Sequence, residues 1–395
     1  MTKRNSIAEM KDLIAGWRRE LHMNPGLTRD EKFAFAFVQE RLDELGVQYK
    51  TGYADYGVVA TIEGNSNSSG KVIGLRADMD ALPLTEESGQ PWASKNPGVM
   101  HACGHDGHTA TLLGVAKYLS ETRNFDGTVQ LIFQPAEEGG HGADRMIADG
   151  LFDDFPCDAV YGLHNWPYQK MGTAASRPGP IMASVDEFDV MFTGQGGHAA
   201  IPQACVDPIV MAASFITQSQ TIISRETDPV QAAVLSFTDL HSGEGAHNVI
   251  PETSKIKGTI RTFDFDVREK IQKRIEQLAK SVAEFHGGAC DFTLTPHIDP
   301  TINDAAEAEF CADVMADLIG EENMERNVDP CMGGEDFGSM LKGRAGAYIW
   351  VGQGTGDENS PHDQGLHSPK YDFNDDVLPL TIDYMAELVE RRLKA

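Results

Sequence analysis

Apolar residues recur along this chain with two periods, and each change of period marks a change of element. Met10, Leu13, Ile14, Trp17 and Leu21 stand at helical spacing and stop near Pro25-Gly26. Thr28-Arg-Asp-Glu31 reads as a capping box that opens a second helix through Phe33, Phe37, Val38 and Leu42 to Gly46. The period then shortens: 58–62 and 72–77 are apolar strands flanking a turn-forming loop over 64–70. From there strand and helix alternate, with a helix over 109–119, a strand over 128–133, a short helix near 143–148 and a strand over 159–163. After an interruption the alternation resumes with a helix over 305–319, a strand over 345–351 and a final helix from about 377 to 393. Such alternation predicts an α/β fold with a central mixed, largely parallel sheet flanked by helices.

The interruption carries its own pattern. Phe188, Val190 and Phe192 alternate with Asp189 and Met191 as in a half-buried strand, and Asp207-Pro208 is an N-cap followed by proline at the first turn of a helix. Strands over 232–237 and 255–262 follow, then an amphipathic helix with Ile271, Ile275, Leu278, Val282 and Phe285 on one face, then a strand over 291–295. Four strands and two helices predict a smaller α+β domain over 183–295, inserted into a discontinuous first domain of residues 1–182 and 296–395.

Composition narrows the function. The chain has 395 residues, 41% hydrophobic and 24% charged, as in an ordinary soluble protein. No apolar run reaches the ~18 residues of a membrane span. The polar opening segment runs straight into a helical pattern, unlike a secretory signal, so a cytoplasmic location is expected. The six scattered cysteines point to free thiols. A formal net charge of -27 argues against nucleic acid or an anionic membrane as partner, since both would be repelled. A small-molecule substrate is expected, and an anionic one would need local positive charge from metal ions or an arginine.

The densest chemistry lies in His101-Ala-Cys103-Gly-His105-Asp106-Gly-His108, just ahead of the 109–119 helix. On an extended or turning segment Cys103 and His105 can point the same way, and a thiolate beside an imidazole suits zinc, manganese or cobalt rather than magnesium. A structural zinc site wants paired cysteines, and this chain has no such pair. The cluster therefore reads as part of an open site with further ligands downstream. In open sheets, ligands bind beyond the carboxyl ends of the strands. Asp78, Asp80, Glu137, Glu138 and His164 all follow predicted strands. Two adjacent glutamates can divide the work, one binding metal and the other taking a proton from water. His164 and His367 would complete the ligand set.

Taken together, Asp78-Met-Asp80-Ala-Leu-Pro, the Met100 to His108 segment, Gln134-Pro-Ala-Glu137-Glu138-Gly, Gly162-Leu-His164-Asn-Trp-Pro, Gly197-His198-Ala, Asn248-Val-Ile-Pro, Gly334-Glu-Asp-Phe-Gly338 and Leu366-His367-Ser-Pro resemble the M20 peptidase family. More narrowly, they resemble its amidohydrolase branch of hippurate hydrolases, N-acyl-amino-acid amidohydrolases and auxin-conjugate hydrolases. The resemblance runs in order along nearly the whole chain.

It implies a dinuclear site in which Cys103 bridges, His105 and His164 complete one ion, and Glu138 and His367 complete the other. The ions would be manganese or zinc, with cobalt or nickel as alternatives. Glu137 would be the general base and Asp80 an orienting carboxylate. Many M20 peptidases have an aspartate as the bridging ligand and a histidine where this chain has Asp78. The departure matches the amidohydrolase branch, with His105 compensating. The inserted domain resembles a lid and dimerisation domain whose His198 reaches a partner subunit's site to stabilise the oxyanion, while Asn248 and Arg261 hold the substrate carboxylate. A homodimer or a dimer of dimers follows. The expected activity is hydrolysis of an N-acyl amino acid to a carboxylic acid and a free amino acid. The rivals are a dipeptidase or aminopeptidase of the same fold, and a non-catalytic, metal-dependent carrier of acylated amino acids. His101, His108, His141, His241, His247 and His362 are left to capping and supporting contacts.

Overall fold

The computed structural model describes residues 4–394. The chain divides into two compact units. One is built from the segment running to Ile181, from Ile302–Asp329 and from Asp336 onward; the other comprises Met182–Thr301 and Pro330–Glu335. The short piece 330–335 belongs to the second unit for a reason that hydrophobic pattern does not carry. Met182 bridges to Cys331, Ala183 N donates to Gly333 O at 2.9 Å, and the Thr301 hydroxyl donates to Glu335 O at 2.9 Å.

The first unit holds an eight-stranded mixed sheet in the order Gln48–Tyr53, Gly57–Glu63, Thr128–Gln134, Val72–Asp78, Ala159–Lys170, Ala345–Gly354, Ala174–Ala175, Met324–Glu325. The four central strands pair in parallel, and an antiparallel hairpin closes one edge. Covered on both faces, the central strands are buried throughout; every residue of Thr128–Gln134 is buried. The helices His105–Thr122 and Ala305–Ile319 pack against the sheet, and Leu378–Arg392 packs against both of them, through a core that includes Leu112, Leu113, Val115, Met315, Ile382 and Leu388.

Three local expectations are corrected. The predicted capping box does not form: the helix begins at Lys32, and the buried Glu31 accepts from Arg29 N at 3.0 Å and from the distant Ala136 N at 2.9 Å. The helix expected over 109–119 starts four residues earlier, at His105, because the polar residues of its first turn are themselves buried. His164 lies inside a strand, which continues to Lys170 rather than ending at 163.

A buried ion network anchors the start of that His105 helix. Arg18, 0% exposed on the helix Lys11–Met23, is paired with Asp106 at 2.7 Å and Asp372 at 2.5 Å. His22, one turn on, is 2.7 Å from Asp106 and 3.2 Å from Glu86. Burial and the neighbouring Arg18 oppose a charge on His22, but Asp106 and Glu86 outweigh them and hold its imidazole up at about 9. The network ties Asp106, next to His105, to three other segments: the helix Lys11–Met23, Glu86 and Asp372.

The second unit is a four-stranded antiparallel sheet in the order Ala233–Ser242, Thr253–Thr262, Val185–Thr193, Ala289–Ile298, with the helices Pro208–Thr221 and Phe265–His286 packed against it. Phe188, Phe192 and Phe215 form the centre of its core. Asp207 caps the first helix, accepting from Ile209 N at 2.9 Å. The second buries Ile271, Ile275, Ala279 and Val282, whereas Phe285 is 85% exposed. At 3.6 residues per turn Phe285 falls about a quarter-turn from the centre of the buried stripe. No helix of the described residues is long and apolar enough to cross a membrane.

The His22 geometry predicts a pH dependence. Its folded pKa of about 9 lies above the ordinary value of 6.5, so its contribution is complete below pH 6.5 and is lost as the pH rises through 9. The unfolding free energy measured in urea should fall across that window by on the order of 3 kcal/mol more in wild type than in His22→Gln. Parallel curves for the two proteins would contradict the assignment.

Candidate metal centre

The segments that carry the chemistry end the central strands or follow them. Asp78 is the last residue of its strand, Glu137 and Glu138 sit three and four residues beyond Gln134, and His164 projects from the strand beyond Leu163. Cys103 and His105 flank Gly104, the residue before the His105 helix, whose φ of +97° suits glycine. A Cβ at Gly104 would also lie 2.3 Å from Asn165 Oδ1. Of the extended or turning segment expected, the structure shows a tight turn into a helix, and that turn brings Cys103 and His105 together.

Two donor groups share Cys103. The ligand atoms of Cys103, His105 and His164 lie within 4.8 Å of one another, and so do those of Cys103, Glu138 and His367. Glu137 joins His105 and Glu138 at the same spacing. Cys103 Sγ is 3.3 Å from His164 Nε2, and His367 Nε2 is 3.2 Å from Glu138 Oε1. His367 N donates to Ala102 O at 2.8 Å, which pins the distant His367 loop beside the cysteine. His367 itself adopts φ +65° and Ala136, preceding the glutamates, φ +60°. Left-handed backbone of this kind is disfavoured for residues with a Cβ and persists where the surroundings enforce it.

Neighbours settle which histidine nitrogens remain available. His105 Nδ1 donates to Asp80 O at 3.0 Å and lies 3.2 Å from Asp80 Oδ1; its Nε2 is buried with no hydrogen-bond partner. His164 Nδ1 donates to Asn165 O at 2.7 Å, leaving Nε2 facing Cys103. Glu138 Oε1 is likewise buried without a hydrogen bond, and lies 3.2 Å from His367 Nε2. Donor atoms converging on one buried sulfur are what a divalent cation satisfies. The donor set of one sulfur, three imidazoles and a carboxylate fits a divalent transition metal. It fits poorly for magnesium.

A further group, Asp78 with His105 and His108, also has donor atoms within 4.8 Å. Its members are already committed. His108 Nδ1 donates to Asp78 Oδ1 at 2.6 Å while its Nε2 lies 2.7 Å from Asn165 Oδ1, and Asp78 Oδ2 accepts from Arg76 at 2.7 Å. Asp78 is therefore a buried partner of Arg76 and His108.

Charge in the cluster follows from these contacts. The Cys103 sulfur and the Glu138 carboxylate beside it pull the His367 imidazole up to about 10. Burial would raise Asp78, but His105, Arg76 and His108 hold its carboxyl well below the usual range. Burial pushes the Cys103 thiol up, and it pushes Glu31, with Asp80 adding to it, up to about 7. Anionic donors that draw protons onto neighbouring imidazoles mark a site where protons and a metal cation compete.

Asp80 is fully buried and spans the cluster: beside His105 it accepts from Thr28 Oγ1 at 2.7 Å and from Glu138 N at 2.9 Å. Thr28, Glu31 and Asn165 were not expected in these surroundings. Thr28 and Glu31 carry a helix-start signal that masks their long-range contacts, and Asn165 has no signal beyond following His164. The remaining expected residues lie in the second unit. His198 and Asn248 come together, both exposed, where the ribbon of Gly197–His198 pairs with Val249–Ile250 and Ala199 N donates to Asn248 O at 3.0 Å. Arg261 is half-buried in the strand Thr253–Thr262, where it bonds Thr259 and the Ile260 carbonyl.

Comparison with known proteins places this geometry. The profile of the Peptidase family M20/M25/M40 matches residues 74–391. The hippurate hydrolase of Campylobacter jejuni is 39% identical over 394 residues, covering 99% of this chain and 100% of that one. An N-acyl-L-amino acid amidohydrolase of Geobacillus stearothermophilus is 40% identical over 299 residues, 75% of this chain and 80% of that one. A crystal structure from Bacillus subtilis, described as a dinuclear metal binding peptidase from the M20 family, superposes with a TM-score of 0.83 at 31% identity over 98% of this chain and 99% of that one. With its profile match across most of the chain and relatives aligned end to end, the chain belongs to the peptidase family M20/M25/M40.

Proposed function

We propose that this chain hydrolyses the amide bond of N-acyl amino acids, releasing a carboxylic acid and a free amino acid, with two divalent ions held by Cys103, His105, His164, Glu138 and His367. The observation that carries the reading is the pair of donor groups sharing Cys103, with His105 Nε2 and Glu138 Oε1 buried and without a hydrogen bond inside them. Relatives named for hippurate and N-acyl amino acid hydrolysis support the substrate class. When bound, the ions supply a Lewis acid for the amide carbonyl and acidify the attacking water.

The side chains then have distinct tasks. Glu137, beside Glu138 and His105, takes the proton from water and passes it to the leaving nitrogen. Asp80 fixes the His105 tautomer by accepting from Nδ1, and Asn165 O does the same for His164. His198 donates to the developing oxyanion of a neighbouring subunit's site, and Asn248 and Arg261 bind the carboxylate of the substrate. Exposed Ile201, Ile209, Val210, Leu240 and Val249 around that part of the second unit support a homodimeric surface. Manganese or zinc as the native metal, and a cytoplasmic location consistent with six free cysteines, complete the reading.

Glu137→Gln should lower turnover of N-benzoyl- and N-acetyl-amino acids by about 10²- to 10⁴-fold while retaining the wild-type metal content. Loss of metal together with activity would exchange the roles of the two glutamates. The trans role of His198 has its own test. His198→Ala and Glu137→Gln should each be nearly inactive, and unfolding and refolding a mixture of the two should recover about a quarter of wild-type activity. Mixed dimers that form without any recovery would place His198 outside its neighbour's catalysis.

A further inference from the structure

The segment 28–31 makes contacts that its place at the start of a helix does not require. Thr28 Oγ1 lies 2.7 Å from Asp80 Oδ2 and 3.1 Å from the Glu138 carbonyl oxygen. Thr28 Cγ2 occupies the space a Cβ on Gly140 would need, at 2.4 Å. Arg29, itself at φ +68°, reaches the Gly140 carbonyl at 3.4 Å. Glu31 is 0% exposed, and its Oε1 accepts from both Arg29 N at 3.0 Å and Ala136 N at 2.9 Å. Four contacts thus run from one short turn to the loop 136–140, which holds Glu137 and Glu138. The turn is itself held to the segment after Asp80, since Leu27 bridges to Ala81 and Ala81 N donates to Gly26 O at 2.9 Å.

Ala136 is where this matters most. Its φ of +60° sets the direction in which the next two residues leave the strand Thr128–Gln134, and alanine does not hold that conformation by itself. Its N–H is bound by Glu31, and its carbonyl accepts from Gly142 N at 2.9 Å. A carboxylate buried only to cap its own helix would sit on the helix's first N–H groups, which Glu31 does not do.

We infer that Thr28 and Glu31 are positioning residues: Glu31 enforces the left-handed turn at Ala136, and Thr28 locks Asp80 to the Glu138 backbone, so that both glutamates keep their place in the cluster. The inference rests on the reading of Glu137 as base and Glu138 as ligand. It assigns the amino-terminal turn to the catalytic loop.

The test uses the full-length enzyme. Glu31→Ala should lower kcat about 10- to 100-fold with KM changed less than about twofold, since small misplacement of a reacting group carries that penalty. It should also weaken zinc binding, measured by chelator competition, by about 10-fold. Glu31→Gln, which keeps the acceptor oxygen, should remain within about threefold of wild type on both counts. The decisive readout is Ala136→Gly, because glycine adopts positive φ without enforcement. In that background Glu31→Ala should cost at least about threefold less in kcat than in the Ala136 background. Equal losses in both backgrounds, or a Glu31→Gln as impaired as Glu31→Ala, would overturn the role of Glu31. Should Glu31→Ala fail to fold, Thr28→Val carries the test. It should weaken zinc binding and lower kcat, with Thr28→Ser restoring both, and a Thr28→Val identical to wild type would refute the clamp. Failure of the reading beneath is distinguishable, because it would show as an active Glu137→Gln enzyme whatever the Glu31 variants do.

Discussion

Buried lone pairs that point at one another have to be paid for, and the first unit is organised around that demand. His105 Nε2 and Glu138 Oε1 have no hydrogen-bond partner, His164 Nε2 faces Cys103 Sγ at 3.3 Å, and His367 Nε2 faces Glu138 at 3.2 Å. A buried polar atom left without a partner costs about 1–3 kcal/mol. Two of them beside one cysteine make an arrangement that a positive charge at the centre relieves. Protons do this in part, as the upward pull on His367 shows. A divalent cation does it fully.

Everything around the cluster holds those donors in place. Asp80 and the Asn165 carbonyl fix which ring nitrogen of His105 and His164 carries the proton. Arg76 and His108 occupy both oxygens of Asp78, which removes it from the donor set. Arg18 and His22 anchor Asp106, so the turn carrying Cys103 and His105 is tied to the amino-terminal helix. Positive φ at His367 and Ala136 is part of the same economy, for each sends a donor-bearing loop back towards Cys103.

Much of this was legible in the sequence. The change of apolar period after Gly46, the alternation from residue 128 onward and the four-strand pattern between Phe188 and Thr295 each correspond to an observed element. The Cys103 and His105 pair was legible because a thiol and an imidazole one residue apart have few other uses, and Glu137, Glu138, His164 and His367 stood out by their position near strand ends or in a recognisable motif. What was hidden depends on distance in the chain. Glu31 looks like a helix cap because its partner, Ala136, lies 105 residues away. Residues 330–335 join the second unit through backbone contacts to Ala183 and Thr301 that leave no apolar period. Phe285 fits a stripe drawn at steps of three and four, yet the true period of 3.6 carries it off the buried face.

Both donor groups depend on Cys103 being shared, and crystals grown with zinc test this most directly. Anomalous difference maps at the zinc edge should show two peaks per chain, each about 2.3 Å from Cys103 Sγ, one also bound by His105 and His164 and the other by Glu138 and His367. A single peak, or zinc seated between Asp78 and His108 with Cys103 unbound, would contradict it.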